Sequence, residues 1–84
     1  GGVHVRVGNT FTMSGSSSVS GNTATDGGGI YGYQATISLQ DDASVTNNTA
    51  TNSGGGIFEV AGSLSGATAG TGGNVYDNSP DDIN

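Results

Sequence analysis

Two adjacent acidic pairs, Asp41-Asp42 and Asp81-Asp82, are the side chains of this sequence best suited to acid–base or metal chemistry. Paired carboxylates act as general acid and base in glycoside cleavage, and carboxylate oxygens bind calcium. Neighbouring residues of a strand point to opposite faces, however, so neither pair converges on one site by itself. We therefore expect both pairs to be solvated, and we predict no catalytic residue, no metal site and no cofactor.

A second candidate cluster combines His4 and Arg6, which fall on the same face of a strand because they are two positions apart. A lyase needs such a base and cation, but this pair is isolated, and we interpret it as surface decoration. Beside it we expect an outward aromatic stripe that could stack on sugar rings or on a neighbouring molecule. The stripe comprises His4, Tyr31, Phe58 and Tyr33. The alternative interpretation is that these rings only shield one another.

The composition excludes several classes of partner and chemistry. The chain carries a formal net charge of -6 and a single basic residue, Arg6, which cannot neutralise a nucleic-acid backbone or dock the chain to an anionic bilayer. The absence of cysteine excludes a disulfide framework, a thiolate zinc site and a thiol nucleophile. No apolar run is long enough to cross a membrane. We expect no nucleic-acid binding and no membrane insertion.

Three short sequence motifs recur in the same order three times along the chain. The structure that they form must position the acidic pairs and the aromatic stripe. A Gly-Gly-aliphatic motif comes first, an alternating stretch follows, and a Val-x-x-Asn motif comes third. Their apolar members are Val3, Ile30 and Ile57, then Phe11, Ile37 and Leu64, then Val19, Val45 and Val75. The first three are spaced 27 residues apart. Such a period excludes the disordered linker that the high Gly, Ser and Thr content would otherwise indicate.

Each repeat unit predicts three short strands, because β-branched and aromatic residues alternate with polar ones between Gly, Asn and Asp. No segment carries a sustained helical apolar stripe. We predict an all-β fold: a single right-handed parallel β-helix (β-solenoid) with open ends and three coils, 1–27, 28–54 and 55–84. A β-sandwich of the same strands is the alternative, but it gives no reason for corner glycines to repeat in register.

The alternation assigns the apolar motif residues to inward columns in which like stacks on like. At the corners we expect a ladder of side-chain amides, because Asn tolerates corner conformations and bonds to backbone and to other amides. Its members are Asn22, Asn48 and Asn78. Glu59 is the exception in the pattern: strict alternation points it inward beside Ile57, whereas a corner or a bulge would turn it outward.

The third unit admits two interpretations at Gly72-Gly73-Asn74-Val75-Tyr76. This segment could begin a fourth Gly-Gly-aliphatic motif, which would leave the third coil nine residues short of 27. It could instead supply the Val-x-x-Asn motif through Val75, which requires a corner longer by about two or three residues. We favour the second interpretation and place the extra length between Ala67 and Gly73.

The phase of the repeat predicts how copies of the chain meet. Nine residues separate Asn48 from Ile57, and nine would separate Asn78 from Val3 of a copy that followed directly. We therefore expect the end of one unit to run into the start of an identical unit. Tandem units in one polypeptide, or separate chains stacked head to tail, would extend into a filament because such contacts do not close. A trimmed fragment that ends at a repeat boundary is the alternative.

The motifs resemble a known family. Gly28-Gly29-Ile30-Tyr31 and Gly55-Gly56-Ile57-Phe58 are similar to the Gly-Gly-Ala-Ile repeats of the polymorphic outer membrane protein type of β-helix. Val19-Ser20-Gly21-Asn22 and Val45-Thr46-Asn47-Asn48 are similar to the Phe-x-x-Asn repeats of the same family. The chain departs from the family in having Val where the family prefers Phe. The resemblance implies an extracellular right-handed β-helix, as in autotransporter passengers and adhesins, with an adhesive or structural duty.

These observations predict a non-enzymatic structural protein, extracellular or on the cell surface, whose solenoid units join end to end into a fibril or stalk. Its expected partner is a further copy of itself. The alternative is an adhesin passenger fragment that binds a glycan or a host surface through the aromatic stripe. Asn47 opens the only Asn-x-Thr sequon and is the candidate glycosylation site.

Overall fold

Eleven short strands and the turns between them form the chain, whose computed structural model describes residues 1–84. No helix is present, so the prediction of an all-β fold is confirmed. No helix long and apolar enough to span a membrane is found. The strands are β1 (Val3–Val5), β2 (Thr10–Met13), β3 (Ser18–Ser20), β4 (Thr23–Asp26), β5 (Ile30–Tyr33), β6 (Thr36–Leu39), β7 (Ser44–Thr46), β8 (Thr49–Ser53), β9 (Ile57–Val60), β10 (Ser63–Ser65) and β11 (Val75–Tyr76).

Every strand pairs in parallel with its equivalent one coil away. The three larger sheets have the orders β1-β5-β9, β2-β6-β10 and β3-β7-β11, and the fourth consists of β4 and β8. Parallel neighbours require the chain to travel through a crossover before it returns, so the protein is a parallel β-solenoid of three coils and the sandwich alternative is wrong. The shortest dimension, 16 Å, fits three layers about 4.8 Å apart.

The predicted inward columns are confirmed by the strand register. Val3 pairs with Ile30, and Ile30 pairs with Ile57. The same alignment joins Phe11, Ile37 and Leu64 in the second sheet and Val19, Val45 and Val75 in the third. In the middle coil the column members Ile30, Ile37 and Val45 are completely buried, because like side chains cover them from both sides. These stacked columns are the core of the molecule.

A fourth strand in the first two coils is a difference from the three predicted. β4 and β8 pair through Thr23 with Thr49 and Ala24 with Ala50. The alanines face inward and the threonines outward, so the segment forms a strand although its apolar side chains are the smallest available. The third coil has no equivalent strand, and only Ser79 bridges to Thr49.

Val75 pairs with Val45 in the third sheet. This pairing confirms the interpretation that Val75 belongs to the Val-x-x-Asn motif of the third coil. The extra length lies in the corner before it, as predicted. Thr68 accepts hydrogen bonds from the backbone N–H groups of Asn74 and Val75, and Gly70 N–H donates to Val75. The corner therefore closes on itself as a small side loop, and the columns continue without interruption.

The last residues of the chain reach the first inward column sooner than the spacing of the repeat predicts. Ile83 bridges to Ile57 and extends the first inward column to a fourth layer, the place predicted for Val3 of a following copy. Asn78 is five residues from Ile83, whereas eight residues separate Asn22 from Ile30. The physical reason is the missing strand: with no equivalent of β4 or β8, the chain crosses this corner by a shorter path.

Candidate functional site

The edge of the first coil that faces away from the second coil, here called the N-terminal face, is formed by strands without a partner on that side. β1, β2 and β3 are each an edge strand of their sheet. Their column residues Val3, Phe11 and Val19 are half-buried, whereas their counterparts one coil later are completely buried. The difference arises because a second layer covers them on one side only. The N-terminal face therefore presents apolar column ends beside unpaired strand edges.

The predicted asparagine ladder is confirmed, and each step has the same geometry. Asn22 donates from its backbone N–H and its Nδ2 to Asn48 Oδ1, at 3.0 and 3.2 Å. Asn48 donates in the same way to Asn78 Oδ1, at 2.9 and 3.0 Å. Asn48 and Asn78 also donate from Nδ2 to backbone carbonyls in their own and the preceding coil. The amide oxygens of Asn48 and Asn78 thus each accept two hydrogen bonds from the coil before them.

The two ends of this ladder differ in chemistry. At the N-terminal face, Asn22 Oδ1 accepts no hydrogen bond, although it is the equivalent of the oxygens that accept two in Asn48 and Asn78. At the other end, Asn78 donates from its backbone N–H and Nδ2 to Asp82 Oδ1, both at 3.1 Å. Because an ionised carboxylate accepts but does not donate, the ladder stops at Asp82.

The Asp81-Asp82 pair is only partly exposed to solvent, which differs from the expectation from sequence. Both residues are half-buried. Asp81 Oδ1 accepts hydrogen bonds from the backbone N–H groups of Gly54 and Gly55, at 2.6 and 3.2 Å. The physical reason is that backbone N–H groups at the last coil require acceptors, and these carboxylates supply them. In the other pair, Asp41 accepts from Gly15 N–H at 3.0 Å, and both residues are exposed as expected.

The aromatic residues His4, Tyr31 and Phe58 stand one above another on the outer face of the first sheet. The His4 and Tyr31 rings meet edge to face with centroids 5.0 Å apart, and the Tyr31 and Phe58 rings are tilted with centroids 5.4 Å apart. Tyr31 and Phe58 are half-buried, so the rings do shield one another. Tyr33, next to them, is 43% exposed.

An open cleft of about 720 Å³ lies beside this stripe at the N-terminal face. Its walls include the exposed side chains of His4, Arg6 and Tyr33, the half-buried ring of Tyr31, and the carboxylate of Asp26. Aromatic faces next to charged and polar groups are the surface that a sugar requires, since its C–H faces stack while its hydroxyls form hydrogen bonds. Of the four predicted stripe residues, His4, Tyr31 and Tyr33 line this cleft, and Phe58 lies outside it.

Glu59 points inward, which answers the question left open by the sequence. It follows Val5 and Gly32 in one column, and its two carboxylate oxygens are buried without a hydrogen-bond partner. A side chain at Gly32 or Gly62 would collide with this carboxyl group, so these glycines provide the space for it. Burial away from water raises the pKa of Glu59 above its ordinary value of 4.5.

Asn47, the candidate glycosylation site, lies in an exposed turn with φ of 55°. Its backbone carbonyl accepts a hydrogen bond from Gly21 N–H at 3.1 Å, and the residue is exposed. No group of three or more His, Asp or Glu side chains is arranged to hold a metal ion.

Two residues with a structural role at the last coil, Asp82 and Ile83, were missed by the sequence prediction. A signal for Ile83 exists, because it follows Ile57 by 26 residues, close to the period of the repeat. Asp82 carries no comparable signal, because it is an acidic residue where the pattern predicts an asparagine. It also follows Asn78 by only four residues, whereas successive asparagines of the ladder are 26 and 30 residues apart.

Comparison with protein-family models, with curated proteins and with solved structures finds no match. The features of the molecule that bear on function are the N-terminal face, the asparagine ladder and the aromatic cleft.

Proposed function

We propose that this chain is a structural building block, without catalytic activity, of a longer β-solenoid. In this proposal a further coil adds to the N-terminal face, and a second copy of the chain supplies that coil. Repetition of the contact produces a fibril or a surface stalk, since a head-to-tail contact propagates instead of closing. The resemblance of the repeats to those of bacterial surface proteins supports a location outside the cell, which antibody labelling of intact cells would test.

The observation that carries the proposal is the unfinished ladder at Asn22. Its Oδ1 lacks the two donors that the equivalent oxygens of Asn48 and Asn78 receive, and the half-buried Val3, Phe11 and Val19 surround the same edge. An added coil would supply donors to this oxygen and complete the burial of the three side chains. Completed burial is worth roughly 1 kcal/mol for each half-buried side chain.

A matched pair of lysine substitutions tests whether the N-terminal face is the joint. Val3→Lys places a charge at the end of an inward column, and a lysine at a strand edge blocks pairing with another chain. Gln40→Lys introduces the same charge at an exposed residue of the second coil, away from the N-terminal face. We expect Val3→Lys to reduce assembly at least tenfold relative to Gln40→Lys in sedimentation velocity over a concentration series.

The comparison requires that both variants remain folded, which thermal melting followed by circular dichroism establishes. Lysine at Val3 is compatible with the fold because its flexible stem reaches solvent from an edge position. Equal assembly by the two folded variants would show that further coils do not add at this face.

A second candidate function is glycan binding in the cleft beside the aromatic stripe. The exposed Tyr33 and Arg6 in one cleft with Tyr31 favour it. The test is a glycan array with Tyr33→Ala and, as a matched control, Tyr76→Ala, because Tyr76 is similarly exposed at 38% but lies outside the cleft. We expect loss of binding with Tyr33→Ala only. Equal signals from both variants would exclude the cleft as the sugar site.

A further inference from the structure

We propose that residues 79–84, here called the tail, act as a built-in cap on the last coil. In this proposal the tail occupies the positions that the N-terminal face of a second copy would take, so end-to-end joining requires the tail to leave. The inference rests on the proposed function, because it names the regulation of the same joint. Its basis is a set of contacts in which tail residues repeat the contacts made between coils.

The first contact is at the asparagine ladder. Within the solenoid, the backbone N–H and Nδ2 of each ladder asparagine donate to an Oδ1 in the next coil. At Asn78 these two donors go to Asp82 Oδ1 instead. In a stacked pair, Asn22 Oδ1 of the second copy would require the same donors. Asp82 of one chain and Asn22 of the next therefore compete for Asn78.

The second contact is in the first sheet. Val3 N–H donates to Gly29 O, and Ile30 N–H donates to Gly56 O, both at 2.9 Å. The next step of this series is the hydrogen bond from Ile57 N–H to Asp82 O at 2.8 Å. Asn84 adds two more backbone hydrogen bonds, one donated to Ile57 O at 2.9 Å and one accepted from Glu59 N–H at 3.0 Å. The tail thus acts as the next strand of this sheet.

The third contact is in the apolar column. Ile83 bridges to Ile57, where the column member of an added coil would lie, and it packs against the core. Ile57 is completely buried as a result, although it lies in the last full coil. By contrast, Leu64 in the second sheet is only half-buried, and β10 has no strand beyond it. The tail therefore covers the first sheet and its corner, and leaves the second sheet open.

Because the tail covers only part of the last coil, the tail and the N-terminal face of a second copy differ in how strongly they bind there. The tail is held in the same chain, so its effective concentration is high and does not depend on the protein concentration. A complete added coil makes a further contact, because it also pairs with the open second sheet. At the third sheet the side loop already bonds to Val75 through Thr68 and Gly70. We therefore expect the intact chain to join only at high concentration, and we expect release of the tail to lower that concentration.

The test weakens the tail without removing it from the chain. The double variant Asp82→Ala/Ile83→Ala removes the acceptor for Asn78 and the fourth side chain of the column. The matched control, Asp42→Ala/Gln40→Ala, removes one charge and one further side chain at exposed positions of the second coil, away from the tail and from the N-terminal face. Light scattering over a concentration series measures the protein concentration at half-maximal assembly. We expect this concentration to be at least tenfold lower for the tail variant than for both wild type and control.

Each outcome bears on the inference. Equal assembly of wild type, control and tail variant would overturn the tail cap and leave the proposed function in place. A folded tail variant that stays monomeric would overturn the proposed function together with the cap. If the double variant does not fold, the single variant Ile83→Ala replaces it, because it keeps every hydrogen bond of the tail, and the same comparison decides.

Discussion

Replacement of Asn48 by alanine tests the asparagine ladder where it is most fully connected. Asn48 is 1% exposed, and its Nδ2 donates to Val19 O, Thr46 O and Asn78 Oδ1, each at 3.0 Å. Its Oδ1 accepts from the backbone N–H and Nδ2 of Asn22. The substitution removes all of these partners at once, and water cannot replace them at a buried position.

The expected loss of stability follows from the number of groups left without partners. A buried polar group that loses its hydrogen bond costs about 1–3 kcal/mol, and two or three such groups remain after the substitution. We therefore expect Asn48→Ala to lower the free energy of unfolding by roughly 3–5 kcal/mol. A chain of this length has a total stability of roughly 4–13 kcal/mol, so the effect is a large fraction of it.

Asn52→Ala is the matched control. Asn52 is exposed, and its side chain makes one hydrogen bond, from Nδ2 to Asp26 Oδ1 at 2.9 Å. Water can take over this contact, so the expected cost is below about 1 kcal/mol. Urea unfolding of both variants and wild type, followed by circular dichroism, measures the difference. If Asn48→Ala came within 1 kcal/mol of Asn52→Ala, the ladder would not be the stabilising element we describe.

Two further predictions concern the inward carboxyl group. Burial raises the pKa of Glu59 above 4.5, so the folded chain binds the proton of this carboxyl group more tightly than the unfolded chain does. The contribution of Glu59 therefore makes the free energy of unfolding fall as the pH rises above about 4.5. Glu59→Gln should remove this contribution, and urea unfolding at several pH values gives it as the difference from wild type; identical pH profiles would refute the prediction. Gly32→Ala should destabilise the fold by about 1 kcal/mol or more, because the added Cβ forces the side-chain ends of Glu59 and Ile37 to move. In the background of Glu59→Ala, the loss of stability caused by Gly32→Ala should be smaller, because the carboxyl group no longer occupies the space beside residue 32. If thermal melts show that the effects of the two substitutions simply add, the two side chains do not compete for the same space.

Much of the fold could be predicted because the columns repeat residue types that have no other reason to recur. Val19, Val45 and Val75 share one column despite the side loop before Val75, since the Val-x-x-Asn motif marks the strand more reliably than the spacing does. The ladder was predictable for the same reason, because each of its asparagines follows a column valine by three residues.

The end of the solenoid was less predictable, because there the contacts persist while the residue types change. Asp82 performs the accepting half of an asparagine's role, which a search for repeated asparagines does not detect. Ile83 continues its column after a shortened corner, so an extrapolated phase places the next layer too late. Glu59 follows the alternation, but only the two glycines that make room for its carboxyl group explain how it fits.

Electron microscopy of the purified wild type and of Asp82→Ala/Ile83→Ala at high concentration tests most directly the claim that solenoid units join end to end. The account predicts filaments whose layers repeat about every 4.8 Å along the axis, the spacing between parallel strands of adjacent coils. It predicts that the tail variant forms them at lower concentration than wild type. Dispersed particles of the monomer's size, 29 × 28 × 16 Å, in both folded samples would contradict it.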